Sequence, residues 1–106
     1  MLTGPAKVNK PVKEYYEHWL PSLLGATAVT LGHNIFYDTK QSKTTAKVRR
    51  HEKIHVEQCE RLSTFGFFVI YFFYYIKFRL EGLNHWDAYY KNPLEIEAYD
   101  REDDVQ

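Results

Sequence analysis

His51-Glu52-Lys53-Ile54-His55 is the stretch on which the reading of this chain turns. If it is helical, the two histidines stand one turn apart on the same face, ~6 Å apart along the axis at ~1.5 Å per residue. Imidazoles placed that way can share one zinc ion. The glutamate beside the first of them then stands where it can take a proton from a water on that ion. The same five residues also fit an exposed helical turn with unrelated polar groups, so the flanking sequence must decide.

Residues 45–64 have the period of an amphipathic helix. Val48, His51, His55, Cys59 and Leu62 fall on one stripe, which puts both histidines on the inward face. Ser42, Thr44 and Thr45 are candidate N-caps. Upstream, residues 28–37 (AVTLGHNIFY) are rich in β-branched and aromatic side chains around Gly32. They read as a bulged strand, or as a tight hairpin turning at Gly32-His33-Asn34. Residues 14–24 suggest a short helix interrupted by Pro21. Residues 1–13, with Gly4, Pro5, Pro11 and scattered lysines, read as a flexible arm.

Downstream, residues 65–76 (FGFFVIYFFYYI) are apolar all round, the mark of a core helix or a membrane element. The uncharged run 62–76 spans only ~23 Å as a helix against a ~30 Å hydrocarbon core. An aromatic core helix is therefore expected, with a shallow membrane contact as the lesser alternative. Residues 82–91 read as a turn and a short aromatic stretch. Asn92-Pro93-Leu94-Glu95 then announces a last helix: Asn at the N-cap, Pro at the first position, Glu at the third. The acidic tail from Asp100 is expected to fray, with 103–106 as its loose end.

At 106 residues, with 44% apolar and 26% charged side chains, the chain reads as a single folded domain, 1–106. Its net charge is zero, so no nucleic-acid partner is expected. The basic stretch 40–53 reads as a solvated helix start. One cysteine, Cys59, and no apolar leader in the first ten residues point to the cytoplasm.

A catalytic zinc takes three protein ligands and leaves one position open. The motif supplies two, and Glu95, Glu97, His33 and His85 are candidates for the third. Cys59 lies ~12 Å along the helix from His51, too far to share the ion, and reads as a small buried apolar residue. Glu95 also occupies the place of a capping-box residue.

Taken together, these segments resemble the gluzincin branch of the zincin metallopeptidases, where H-E-x-x-H on one helix is followed by E-x-E-A-D or a relative on a second. The chain is similar to compact, single-domain gluzincin-like proteins of bacteria and phages. Their T-L-G-H strand, R-H-E-x-x-H-x-x-Q helix and N-P-x-E-x-E-A-Y helix match Thr30-Leu31-Gly32-His33, residues 50–58 and residues 92–99, in that order. The resemblance covers residues 28–102. It implies a minimal zincin-like α+β domain, mostly helical, with a short hairpin, the H-E-x-x-H helix, the aromatic helix and a C-terminal Glu-bearing helix. It implies Zn2+ held by His51, His55 and Glu95, Glu52 as general base, and a peptide or protein substrate pairing with the strand at 28–37. The alternative is a zinc-stabilised binding module without turnover.

One position departs from the pattern. Larger gluzincins place Asp four residues after the ligand Glu, where it orients a ligand histidine; here that position is Tyr99. Asp100 or Glu97 is expected to substitute. Tyr89, Tyr90, Tyr99 and His85 are candidate oxyanion donors.

Overall fold

Gly32 turns the chain back on itself. Its φ of 67° lies in the left-handed region that favours glycine. With His33 it forms the two-residue loop of a β-hairpin. β1 (Lys13–Tyr15) precedes β2 (Ala28–Leu31) and β3 (Asn34–Tyr37). β2 and β3 form the hairpin, antiparallel from Leu31↔Asn34 to Ala28↔Tyr37. β1 pairs parallel on the other side of β3, giving the order β1-β3-β2. The computed structural model describes residues 10–103.

The helix expected over 14–24 is confined to α1 (Trp19–Leu23). Glu14 and Tyr15 instead pair with Ile35 and Phe36. Tyr15 stacks on Phe36 and Tyr16 on Tyr37, and such cross-strand contacts override a local helix preference. Pro21 does not break α1, because the first-turn N–H groups have no partner inside the helix to lose. Lys13, read as the end of a flexible arm, opens β1; residues 1–9 of that arm lie outside the described residues.

α2 (Ala46–Leu62) starts at Thr45, whose hydroxyl accepts from the Val48 N–H. It packs on the sheet and on the later helices. Val56 is buried with Ile35 and Tyr37 on one side, and Cys59 with Phe67 and Leu94 on another. Burying each such aliphatic side chain stabilises the fold by about 1.5–3 kcal/mol. Ser63, with φ 65°, breaks the chain between α2 and α3 (Thr64–Leu80) and caps α3 at Gly66.

α3 is helical as expected, but it is not a core helix. Phe67 is its one buried residue, whereas Phe65 is 80% and Leu80 84% exposed. α2, α4 (His85–Lys91) and α5 (Pro93–Arg101) cover its inner face. Among the described residues the outer face stays open, with Val69, Phe72, Phe73 and Ile76 each at least half exposed. Among the described residues, no helix is long and apolar enough to cross a membrane.

Asn92 caps α5 through the Leu94 N–H, with Pro93 at the first position. The tail does not fray from Asp100. Glu102 is 8% exposed, and Arg50 Nε donates to its carbonyl. Residues 104–106 lie outside the described residues. The architecture is α+β and mostly helical, with α2 flanked by the β2 edge and α5.

Candidate metal centre

α2 brings His51 and His55 to one face, their rings edge to face with centroids 4.9 Å apart. Both are buried, as is Glu52 between them in sequence. Ligand atoms of His51, Glu52 and His55 all lie within 4.8 Å of one another. α5 contributes the fourth group. Glu95 Oε1 stands 2.9 Å from His51 Nε2 and 3.1 Å from His55 Nε2. Its carboxylate therefore does not close a capping box, and Asn92 caps α5 without it.

These donors suit zinc. Three ligand atoms at ~2.1 Å from a tetrahedral ion stand ~3.4 Å apart. The Glu95–histidine spacings of 2.9 and 3.1 Å reach that with shifts of less than ~0.5 Å. Two imidazoles and one carboxylate form a ligand set known for catalytic zinc, with a fourth position left open.

Each donor is held from behind. His51 Nδ1 lies 2.8 Å from Glu102 Oε2, and His55 Nδ1 lies 2.8 Å from Gln58 Oε1. With Nδ1 donating to these oxygens, Nε2 of each ring is the free donor atom for a metal. The Gln58 amide is fixed in turn by donating to Leu94 O and Glu97 Oε1, both at 2.9 Å. The Tyr71 hydroxyl donates to Glu95 Oε2 at 2.8 Å.

Glu52 points toward β2. Its Oε1 is 2.9 Å from the Thr30 hydroxyl, which also lies 3.1 Å from the Glu52 carbonyl oxygen. Burial raises the Glu52 carboxyl above the usual carboxylate range, against the pull of His55, His51 and the Thr30 hydrogen bond. Such a shift moves a carboxylate toward the range in which a general base works near neutral pH. For the histidines, burial alone disfavours the cation. In His55 the charge and hydrogen bond of Glu95 outweigh it and raise the imidazole to about 9. His51 is also raised, its burial outweighed chiefly by the hydrogen bond to Glu95. Burial opposes ionisation of Glu95 too, but the two imidazoles hold it well below the usual range.

The remaining candidates lie elsewhere. Glu97 pairs with Arg61 at 2.7 Å and Arg101 at 3.0 Å, away from the imidazoles. His33 binds Glu60 at 2.7 Å, and His85 lies 2.9 Å from the Tyr75 hydroxyl. Cys59 is buried beside Phe67 and Leu94, and burial pushes its thiol up to about 11. Asp100 is exposed and Glu97 is held by its arginine partners, so the carboxylate on His51 Nδ1 is that of Glu102 and not of either expected residue. Tyr99 sets its ring against His51, centroids 4.4 Å apart, and its hydroxyl lies 3.1 Å from that of Tyr89.

Four supporting residues had no assigned role in the sequence: Thr30, Gln58, Tyr71 and Glu102. Thr30 and Gln58 stand inside the motifs already quoted. Glu102 lies seven residues after Glu95, hence on the same face two turns on. Tyr71 carries no signal that separates it from its aromatic neighbours.

A cleft of about 630 Å³ opens over the cluster. Residues 26–30, including edge strand β2, form one wall; Phe68, Phe72, Trp86 and Tyr89 contribute to the other. No family model, curated protein or solved structure matches the chain.

Proposed function

We propose that this protein is a zinc-dependent peptide hydrolase of the gluzincin type, with His51, His55 and Glu95 as ligands and Glu52 as general base. The observation that carries the reading is the single oxygen, Glu95 Oε1, set 2.9 and 3.1 Å from the two Nε2 atoms of the H-E-x-x-H pair. A bound zinc would supply Lewis-acid activation of water and of the scissile carbonyl. Glu52 takes the proton of the attacking water and returns it to the leaving amine. Thr30 holds that carboxylate in place. β2, the edge strand of the sheet among the described residues, lies beside the cleft and offers backbone groups to an extended peptide, a mode of binding that suits many sequences.

A zinc-stabilised binding module would share the ligands and differ in turnover. The buried Glu52 beside the ligand pair, with a cleft above it, favours hydrolysis. The test is Glu52→Gln, compared with the parent in zinc content and in cleavage of a mixed peptide pool. Hydrolysis should fall at least ~100-fold with zinc retained. Equal turnover in both proteins would refute the role of Glu52, and no turnover in either would favour the binding module.

A further inference from the structure

Phe65, Val69, Phe72, Phe73, Ile76 and Leu80 are each at least half exposed. At ~100° per residue they fall in one sector of α3 ~100° wide, opposite Phe67 and Tyr71. With a full Phe side chain offering 150–250 Å², the stripe exposes roughly 600–700 Å², above the largest patch on most monomers.

Within the helix itself the charges have one sign, and the nearest acid, Glu81, follows its last residue. Residues 62–80 contain no Asp or Glu, and their only cations, Lys77 and Arg79, flank the C-terminal end of the stripe on either side. Lys77 meets Glu81 at 2.7 Å in an exposed pair, and Arg79 donates to the Tyr75 hydroxyl. Exposed pairs of this kind are weak and exchange readily. The apolar surface also continues past α3. Leu24, Phe72 and Trp86 all line the cleft and are 56%, 55% and 53% exposed.

We propose that the outer face of α3 docks shallowly on lipid bilayers that carry anionic headgroups, with the helix lying along the membrane surface. An aromatic-rich apolar face bordered by Lys and Arg is the pattern of an interfacial helix. The stripe is ~24 Å long, too short to span a ~30 Å hydrocarbon core. A second copy of the chain is the poorer match. Paired helices prefer aliphatic seams, whereas half of this stripe is phenylalanine: Phe65, Phe72 and Phe73. Docked in this way, the cleft mouth at Leu24, Phe72 and Trp86 opens beside the headgroups. The proposal does not depend on the zinc reading.

The test is flotation of the full-length protein with vesicles of phosphatidylcholine alone and of phosphatidylcholine with about one third phosphatidylserine, alongside analytical ultracentrifugation. The protein should float with the anionic vesicles and bind neutral ones at least ~10-fold more weakly, at ~5-fold per basic residue near the surface. Phe65→Ser with Phe73→Ser, neither of which lines the cleft, should weaken binding at least ~10-fold with an unchanged circular dichroism spectrum. Lys77→Ala with Arg79→Ala should abolish the preference for anionic vesicles. Failure of the parent protein to float would overturn the proposal. So would a dimer that the Phe65/Phe73 variant converts to monomer, which would give the face to a second copy.

Discussion

Glu102 Oε2 lies 2.8 Å from Nδ1 of His51, a residue 51 positions away in sequence. The contact ties the end of α5 to the first histidine of the pair on α2. It sets which ring nitrogen faces Glu95. Tyr99, three residues earlier, packs its ring on His51.

Glu102 should therefore govern zinc affinity without touching the ion. Glu102→Ala is expected to weaken zinc binding ~10–100-fold, the usual range for partners that orient a ligand histidine. Glu102→Gln should lose less, because its amide oxygen still accepts from Nδ1. Competition against a chromophoric chelator measures both. Parent-like affinity in Glu102→Ala would show that the contact does not orient His51.

Glu95 and Glu97 are separated by the same assay. Glu95→Gln should cost at least ~10-fold in zinc affinity, since a neutral amide is a poor zinc ligand. Glu97→Gln removes no contact to the imidazoles themselves and loosens the pairs with Arg61 and Arg101, while its amide oxygen can still accept from Gln58, so its effect should appear mainly in melting temperature. A larger loss of zinc in Glu97→Gln would mean the ligand is misassigned.

Much of this site could be read before the fold was known. H-E-x-x-H at helical spacing, and Asn92-Pro93-Leu94-Glu95 as a helix start, mark the two elements that meet. What stayed hidden depends on tertiary neighbours. That Glu95 turns to the histidines and not to its own helix end follows from how α5 lies on α2, which no local pattern encodes. The outer face of α3 is a similar case. Its composition calls for an apolar environment, but which side of the helix the fold covers depends on how α2, α4 and α5 pack against it. The strand at Glu14 and Tyr15 was lost to local helix preference because its partner, β3, lies some twenty residues away.

Zinc binding should be strongly pH-dependent. In the metal-free protein Glu95 raises His55 to about 9, burial notwithstanding. Protonated His55 thus stabilises the metal-free fold fully below its unfolded value of ~6.5, and that contribution is lost as pH rises toward 9. Zinc requires the neutral ring, so its binding expels protons and its affinity climbs across the same interval, by up to ~10-fold per pH unit for each proton released. Calorimetry in buffers of differing ionisation enthalpy reads the proton count. Affinity that stays flat from pH 7 to 9 would contradict the coupling between His55 and Glu95.

The most direct test of the central claim is the zinc content of the purified, zinc-equilibrated protein beside that of His51→Ala, by plasma mass spectrometry after gel filtration. The parent should carry one zinc per chain and the variant essentially none. A zinc-free parent, or a variant that retains a full equivalent, would contradict the assignment of this cluster as a metal centre.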